Sequence, residues 1–210
     1  MVATRNNTRL QNRAIRHNVY GENARQAIGK IEKGCEIFGL TKGDISIVNI
    51  ISEVVRQVGK CDVVVATWAA AGYDTGKLKE IKDNGLINNI SFILDYSAES
   101  KLGKERFAAL RSYFPDNVYL TKIHAKFILI KNENWNIVIR TSMNLNENKR
   151  MENFEISDCE ILYNYLSEIA KDIMKNKSYD AKEFEKLGKD KKYNEFIPKK
   201  NKALDFLKGL

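Results

Sequence analysis

The 210-residue sequence is poor in cysteine, proline, histidine and long apolar runs. Its three cysteines, Cys35, Cys61 and Cys159, lie far apart, and no two have metal-ligand or redox spacing. That excludes a disulfide framework and points to a reducing compartment. Pro115 and Pro198 are the two prolines, so there is no Pro-rich linker, and no internal repeat divides the chain. The longest apolar stretch, "VVVATWAAAG", is too short to span a bilayer. The opening "MVATRNNTRLQNRAIRH" lacks the apolar core of a signal peptide. The expectation is a soluble, cytoplasmic protein.

Charge is present in excess and is unevenly spread. The formal net charge is +8. Residues 1–34 hold seven Lys/Arg against two acids, and residues 171–210 hold twelve against seven, so each end is +5 and the middle −2. A near-neutral centre with basic ends suits a polyanionic partner, either nucleic acid or an acidic membrane surface. No amphipathic or apolar anchor accompanies the charge, which favours nucleic acid over a membrane; of the nucleic acids, DNA is expected before RNA. The organisation read from composition is a basic N-terminal arm (1–34), mobile or weakly helical, a domain over 35–176 and a basic C-terminal tail (177–210). Four aromatic residues of that tail, Tyr179, Phe184, Tyr193 and Phe196, lie among lysines.

Between the ends, short apolar runs alternate with amphipathic segments. "DISIVNIISEVVRQVG" (44–59) has helical spacing, with Asp44 or Ser46 as N-cap and Gly59 beyond its end. "CDVVVATW" (61–68) and "NISFILDY" (89–96) read as buried strands. Helices are expected over 75–85, 98–114 and roughly 158–176, and further strands over 117–123, 124–130 and 135–142. The predicted class is α/β: a mixed, largely parallel sheet flanked by helices.

The chemistry gathers in "IHAKFILIKNENWNIVIRTSMNLN" (123–146). "KNEN" is a compact polar turn between two apolar runs. With the turn centred on Glu133, His124 falls opposite Ser142 and Lys126 opposite Arg140; a two-residue turn shifts this by one position. Side chains alternate along a strand, so His124 and Lys126 share a face, and one end of the hairpin collects His124, Lys126, Ser142 and Asn144. An ammonium, a hydroxyl and an amide suit the oxygens of a phosphodiester, and an imidazole can attack phosphorus or shuttle a proton. A downstream carboxylate, Glu152 or Glu155, is available to orient the imidazole. Lys131, Arg140, Lys149 and Arg150 are further candidates for substrate binding. No His/Asp/Glu constellation has metal-ligand spacing, and no cofactor is expected.

H-x-K followed by S-x-N, with "E-N" in "MENFEI" (151–156), resembles the phospholipase D superfamily, and in size its short, single-motif nuclease branch. The resemblance covers roughly Ile45 to Ile173. It implies an α/β/α sandwich, His124 as nucleophile forming a phosphohistidine, Lys126, Ser142 and Asn144 as phosphate ligands, and Glu152 as support for the histidine. Two positions depart from the pattern. The motif's aspartate is Lys131, and the glycine before the serine is Thr141. The tyrosyl-DNA phosphodiesterase branch also lacks that aspartate and hydrolyses phosphodiesters.

Three functions are therefore in view. The first is a metal-independent phosphodiesterase acting on nucleic acid. The second is a weak or inactive relative that binds DNA. The third is a phospholipid-cleaving enzyme. Because the chain has a single H-x-K, and its other histidine, His17, lies in the basic arm, the first reading further expects a homodimer that shares one site across its twofold axis.

Overall fold

The computed structural model describes residues 13–17, 23–70, 72–145 and 150–175. Its strands are β1 (Arg13–His17), β2 (Glu36–Thr41), β3 (Cys61–Thr67), β4 (Ile87–Asp95), β5 (Val118–Thr121), β6 (Phe127–Lys131), β7 (Asn136–Thr141) and β8 (Glu152–Asp158). The helices are α1 (Ala24–Ile28), α2 (Ile47–Val58), α3 (Gly72–Asp83), α4 (Ala98–Leu102), α5 (Lys104–Tyr113) and α6 (Glu160–Lys175).

Local chemistry sets most boundaries. Ser46 and Asn49 form a reciprocal capping box at the start of α2, which satisfies two backbone donors that the helix cannot. Gly59, at φ 83°, ends that helix. The expected single helix over 98–114 is two, because Gly103 also takes a left-handed φ of 83° between α4 and α5.

The eight strands form one sheet in the order β1-β2-β8-β7-β6-β3-β4-β5. It is mixed. β3, β4 and β5 run parallel to one another, as their alternation with helices predicts, and β1 runs parallel to β2. The antiparallel pairs β2–β8, β8–β7, β7–β6 and β6–β3 are the more numerous. One face packs on α1, α2, α3 and α5 through residues such as Ile37, Val63, Phe92, Ile128, Ile139 and Ile156. The other face, with Ala66, Ile93, Phe127, Leu129 and Val138, packs on Tyr163, Ala170 and Ile173 of α6. Two buried faces explain why β3, β4 and β6 read as continuous apolar runs rather than as alternating ones.

The basic stretch expected to be an arm contributes to the fold. Residues 13–17 are the edge strand, registered against β2 from Arg13 opposite Glu36 to His17 opposite Leu40. Helix α1 buries Ala24, Ala27 and Ile28 in the larger core. A few apolar residues among the polar ones suffice for a five-residue edge strand and a five-residue helix, too short to show a period in sequence. The expected tail, 177–210, lies outside the described residues. Among the described residues no helix is long and apolar enough to cross a membrane. All three cysteines are free thiols, and burial, with the Asp62 charge beside it, pushes the Cys61 thiol up to about 12.

Candidate active site

The site lies at one end of the sheet, where β3 and β7 finish and β6 and β8 begin. The β6–β7 register pairs Phe127 with Arg140 and Ile128 with Ile139, one position from a turn centred on Glu133. Lys126 therefore meets Thr141, whose N–H donates to the Lys126 carbonyl at 3.3 Å. Residues 123–126 precede β6 rather than extend it, so His124 sits on an irregular segment, exposed, ahead of the strand. Asp95, at the end of β4, steadies this segment by accepting the Ile123 N–H at 3.1 Å.

His124 and Lys126 are in contact. The Lys126 ammonium lies 3.4 Å from His124 Nδ1 and donates to the His124 carbonyl at 2.8 Å. An ammonium can only donate, so Nδ1 is the acceptor in this pairing. Burial holds the Lys126 ammonium below the ordinary lysine range, and the charge of Glu152 partly offsets that.

Ser142 follows β7 and is bracketed by the start of β8. Its N–H donates to the Asn153 carbonyl at 3.3 Å, and its hydroxyl accepts from the Asn153 N–H at 3.0 Å and donates to the Glu152 carboxylate. Thr141, standing where a glycine was expected from the resemblance, is integrated rather than obstructive. Its hydroxyl donates to the Asn153 carbonyl at 2.6 Å and accepts from the Met143 N–H at 3.0 Å. Asn144 lies within 3.5 Å of the buried Thr67 hydroxyl, and the Leu145 N–H donates to the Ala69 carbonyl at 3.0 Å. The loops after β3 and β7 are thus stitched together, with Ala70 and Leu145 forming a parallel bridge.

The structure separates the remaining candidates. Glu152 joins the cluster through Ser142. Glu155 instead forms an ion pair with Arg140, 2.7 Å apart and directly opposite across β7–β8, so Arg140 is engaged beside the site. Arg150 is exposed just before β8, and Lys149 lies outside the described residues. Lys131 is not brought to the cluster. It closes the far end of β6, roughly 16 Å of strand from Lys126, with its ammonium 5.3 Å from the Tyr163 ring centroid. There it lines an open cavity of about 660 Å³ with Lys60, Asp62 and Asn132. The replacement of the motif's aspartate at this position therefore takes no group away from His124.

Sequence reasoning undervalued three residues. Trp68, which the sequence places at the end of the buried "CDVVVATW" run, touches the His124 ring. Asn153 brackets Ser142, and Thr67, whose hydroxyl donates to the Ala69 carbonyl at 3.1 Å, lies beside Asn144. The available signal was the end of the "CDVVVATW" run, since an apolar strand beside β6 must end near His124. Among the described residues, no group of three His, Cys, Asp or Glu side chains is placed to hold a metal ion.

No family sequence model matches this chain, and no curated protein matches it. Solved structures do. Nuc from Salmonella typhimurium, a phospholipase D family member, superposes with a TM-score of 0.51 at 18% identity, over 69% of this chain and 96% of its own. NucT from Helicobacter pylori gives 0.47 at 13% identity, over 67% and 96%. The Salmonella likeness establishes the architecture: the chain has the phospholipase D-superfamily fold, as the motif resemblance implied.

Proposed function

We propose that the chain is a metal-independent phosphodiesterase that cleaves nucleic acid, DNA before RNA, through a phosphohistidine on His124, in a site shared by two copies of the chain. The observation that carries this reading is the convergence of His124, Lys126, Ser142, Asn144 and Glu152 on neighbouring strand ends. The fold shared with Nuc supports it, and the excess of basic residues at both ends of the sequence favours a polyanionic substrate.

In this reading Lys126, Ser142 and Asn144 hold the non-bridging phosphate oxygens and stabilise the charge that grows on them. A ring nitrogen of His124 attacks phosphorus, the N–P bond forms, and the bond to the leaving ester oxygen breaks. That oxygen takes a proton from an acid on the opposite side, assigned to His124 of the second copy. Water then attacks the phosphohistidine, the N–P bond breaks, and the acid recovers its proton from the water.

The test incubates the full-length protein with single- and double-stranded DNA in excess EDTA, beside His124→Ala. Cleavage that persists in EDTA and disappears in the variant is expected. Activity abolished by EDTA and restored by Mg²⁺, or retained by His124→Ala, would defeat the reading.

A further inference from the structure

The hydroxyl proton of Ser142 is committed inside the free protein. It is donated to the Glu152 carboxylate, while the Asn153 N–H donates to the same Oγ at 3.0 Å. A serine hydroxyl has one proton, so a phosphate oxygen cannot receive it while Glu152 holds it. The arrangement is built by sheet register rather than by a loose loop. Glu152 opens β8 opposite Thr41, and two residues on Phe154 pairs with Thr141, which places the carboxylate beside the residue after β7. The same carboxylate supports the half-buried Lys126 ammonium. The hydroxyl that would serve a bound phosphate is thus directed at an internal anion, whose charge also acts on the Lys126 ammonium while that ammonium donates to the His124 carbonyl.

We propose that Glu152 is an internal competitor for the phosphate site: a phosphate group binds by taking the Ser142 hydroxyl away from the Glu152 carboxylate. This rests on the reading of the cluster as a phosphate cradle, and it adds a role that support of His124 does not contain. A carboxylate that only orients the nucleophile acts on ground-state anion affinity through its charge alone, to the same extent with or without the Ser142 hydroxyl. A competitor restrains that affinity, and weakening it tightens binding.

Glu152→Gln keeps size and an acceptor oxygen while replacing a charge-assisted hydrogen bond with a neutral one of roughly half the strength. Calorimetric titration with inorganic phosphate should show the variant binding about tenfold more tightly than wild type. Removing any negative charge near an anion site also helps binding, so the same change is made in Ser142→Ala. There it should give only about two- to threefold, because no hydroxyl remains to be released. Thermal unfolding of all four proteins checks that each is folded. Unchanged or weaker binding by Glu152→Gln overturns the inference. So does an equal gain with and without Ser142, which would mark a charge effect alone. Phosphate binding by none of the four would overturn the cradle reading itself, and the inference with it.

Discussion

The indole of Trp68 lies against the imidazole of His124, with ring centroids 5.4 Å apart and planes tilted by 52°. Trp68 directly follows β3 and His124 stands three residues ahead of β6, its antiparallel neighbour, so the sheet itself brings the two rings together. On this exposed, irregular segment the indole adds to the Lys126 contact at Nδ1 in fixing the ring plane. Trp68→Ala should therefore cost turnover. An aromatic pair of this kind contributes about 0.5–1.5 kcal/mol, which corresponds to a roughly two- to tenfold fall in kcat on a small phosphodiester. KM should change little, and Trp68→Phe should retain most of the activity. A rise in KM at constant kcat would instead mark Trp68 as a residue that binds substrate uniformly.

In the proposed site the Lys126 ammonium sets the alkaline side of the pH profile. Burial lowers its pKa from the ordinary 10.5, so the positive charge that phosphate binding requires is lost at a lower pH than for an exposed lysine. Phosphate affinity should be present below that lowered pKa and fall away as the pH rises through it. Glu152 acts in the opposite direction, because its negative charge favours the ammonium. Neutralising it in Glu152→Gln should move the alkaline limb to still lower pH, whereas Lys126→Arg should move it up, since a guanidinium does not deprotonate in this range. Phosphate titrations between neutral pH and pH 10.5 would show the three limbs; coincident limbs would contradict the assignment.

The central elements were legible in sequence for a physical reason. Strands buried on both faces must be apolar throughout, and α2 carries its own cap and stop in Ser46 and Gly59. The hairpin of β6 and β7 was legible because a polar turn fixes its register to within one residue, which sufficed to place His124, Lys126 and Ser142 together. β2 and β8 were not. β2 reads "EIFGLT", with Gly39 at its centre, and β8 reads "ENFEISD", where three of seven positions are acidic. Each gains its strand character from its partner. β8 was consequently seen only as a source of carboxylates, and the bond from Ser142 to Glu152 could not be read. The same limitation hid β1 and α1. Deleting residues 1–34 would remove Ala27 and Ile28 from the core, so a truncation meant to probe the basic N-terminus should stop at residue 12.

Gly39 has a packing reason that its sequence position conceals. It lies directly opposite Phe154 in the β2–β8 register, and a Cβ built on it would fall 2.2 Å from the Phe154 ring. Phe154 is fully buried and cannot move aside without disturbing the larger core. Gly39→Ala should destabilise the protein by about 1–3 kcal/mol through overpacking. Denaturant unfolding should show a lower midpoint at an unchanged slope. A midpoint equal to that of wild type would mean that the ring has an alternative position.

The shared site makes the sharpest demand on the proposed function. In-line transfer through a phosphohistidine needs an acid across from the nucleophile, and the chain has two histidines, His17 and His124. The backbone of His17 pairs with Leu40 on the outermost strand, with β2, β8 and β7 between it and β6, the strand that His124 precedes. A second copy of His124 is the economical source, and the exposure of the first is compatible with a partner approaching that face. An isologous twofold contact would bring both copies of His124 and Lys126 together. Sedimentation should then report a dimer, but mixing subunits asks the more direct question. Wild-type and His124→Ala chains carrying different tags are co-expressed, and the heterodimer is purified through both tags. If one site uses both histidines, the heterodimer should lose most of its activity, whereas two independent sites would leave it about half. A half-active heterodimer, or a monomer that cleaves DNA at concentrations where no dimer forms, would reject the shared site while leaving His124 as nucleophile.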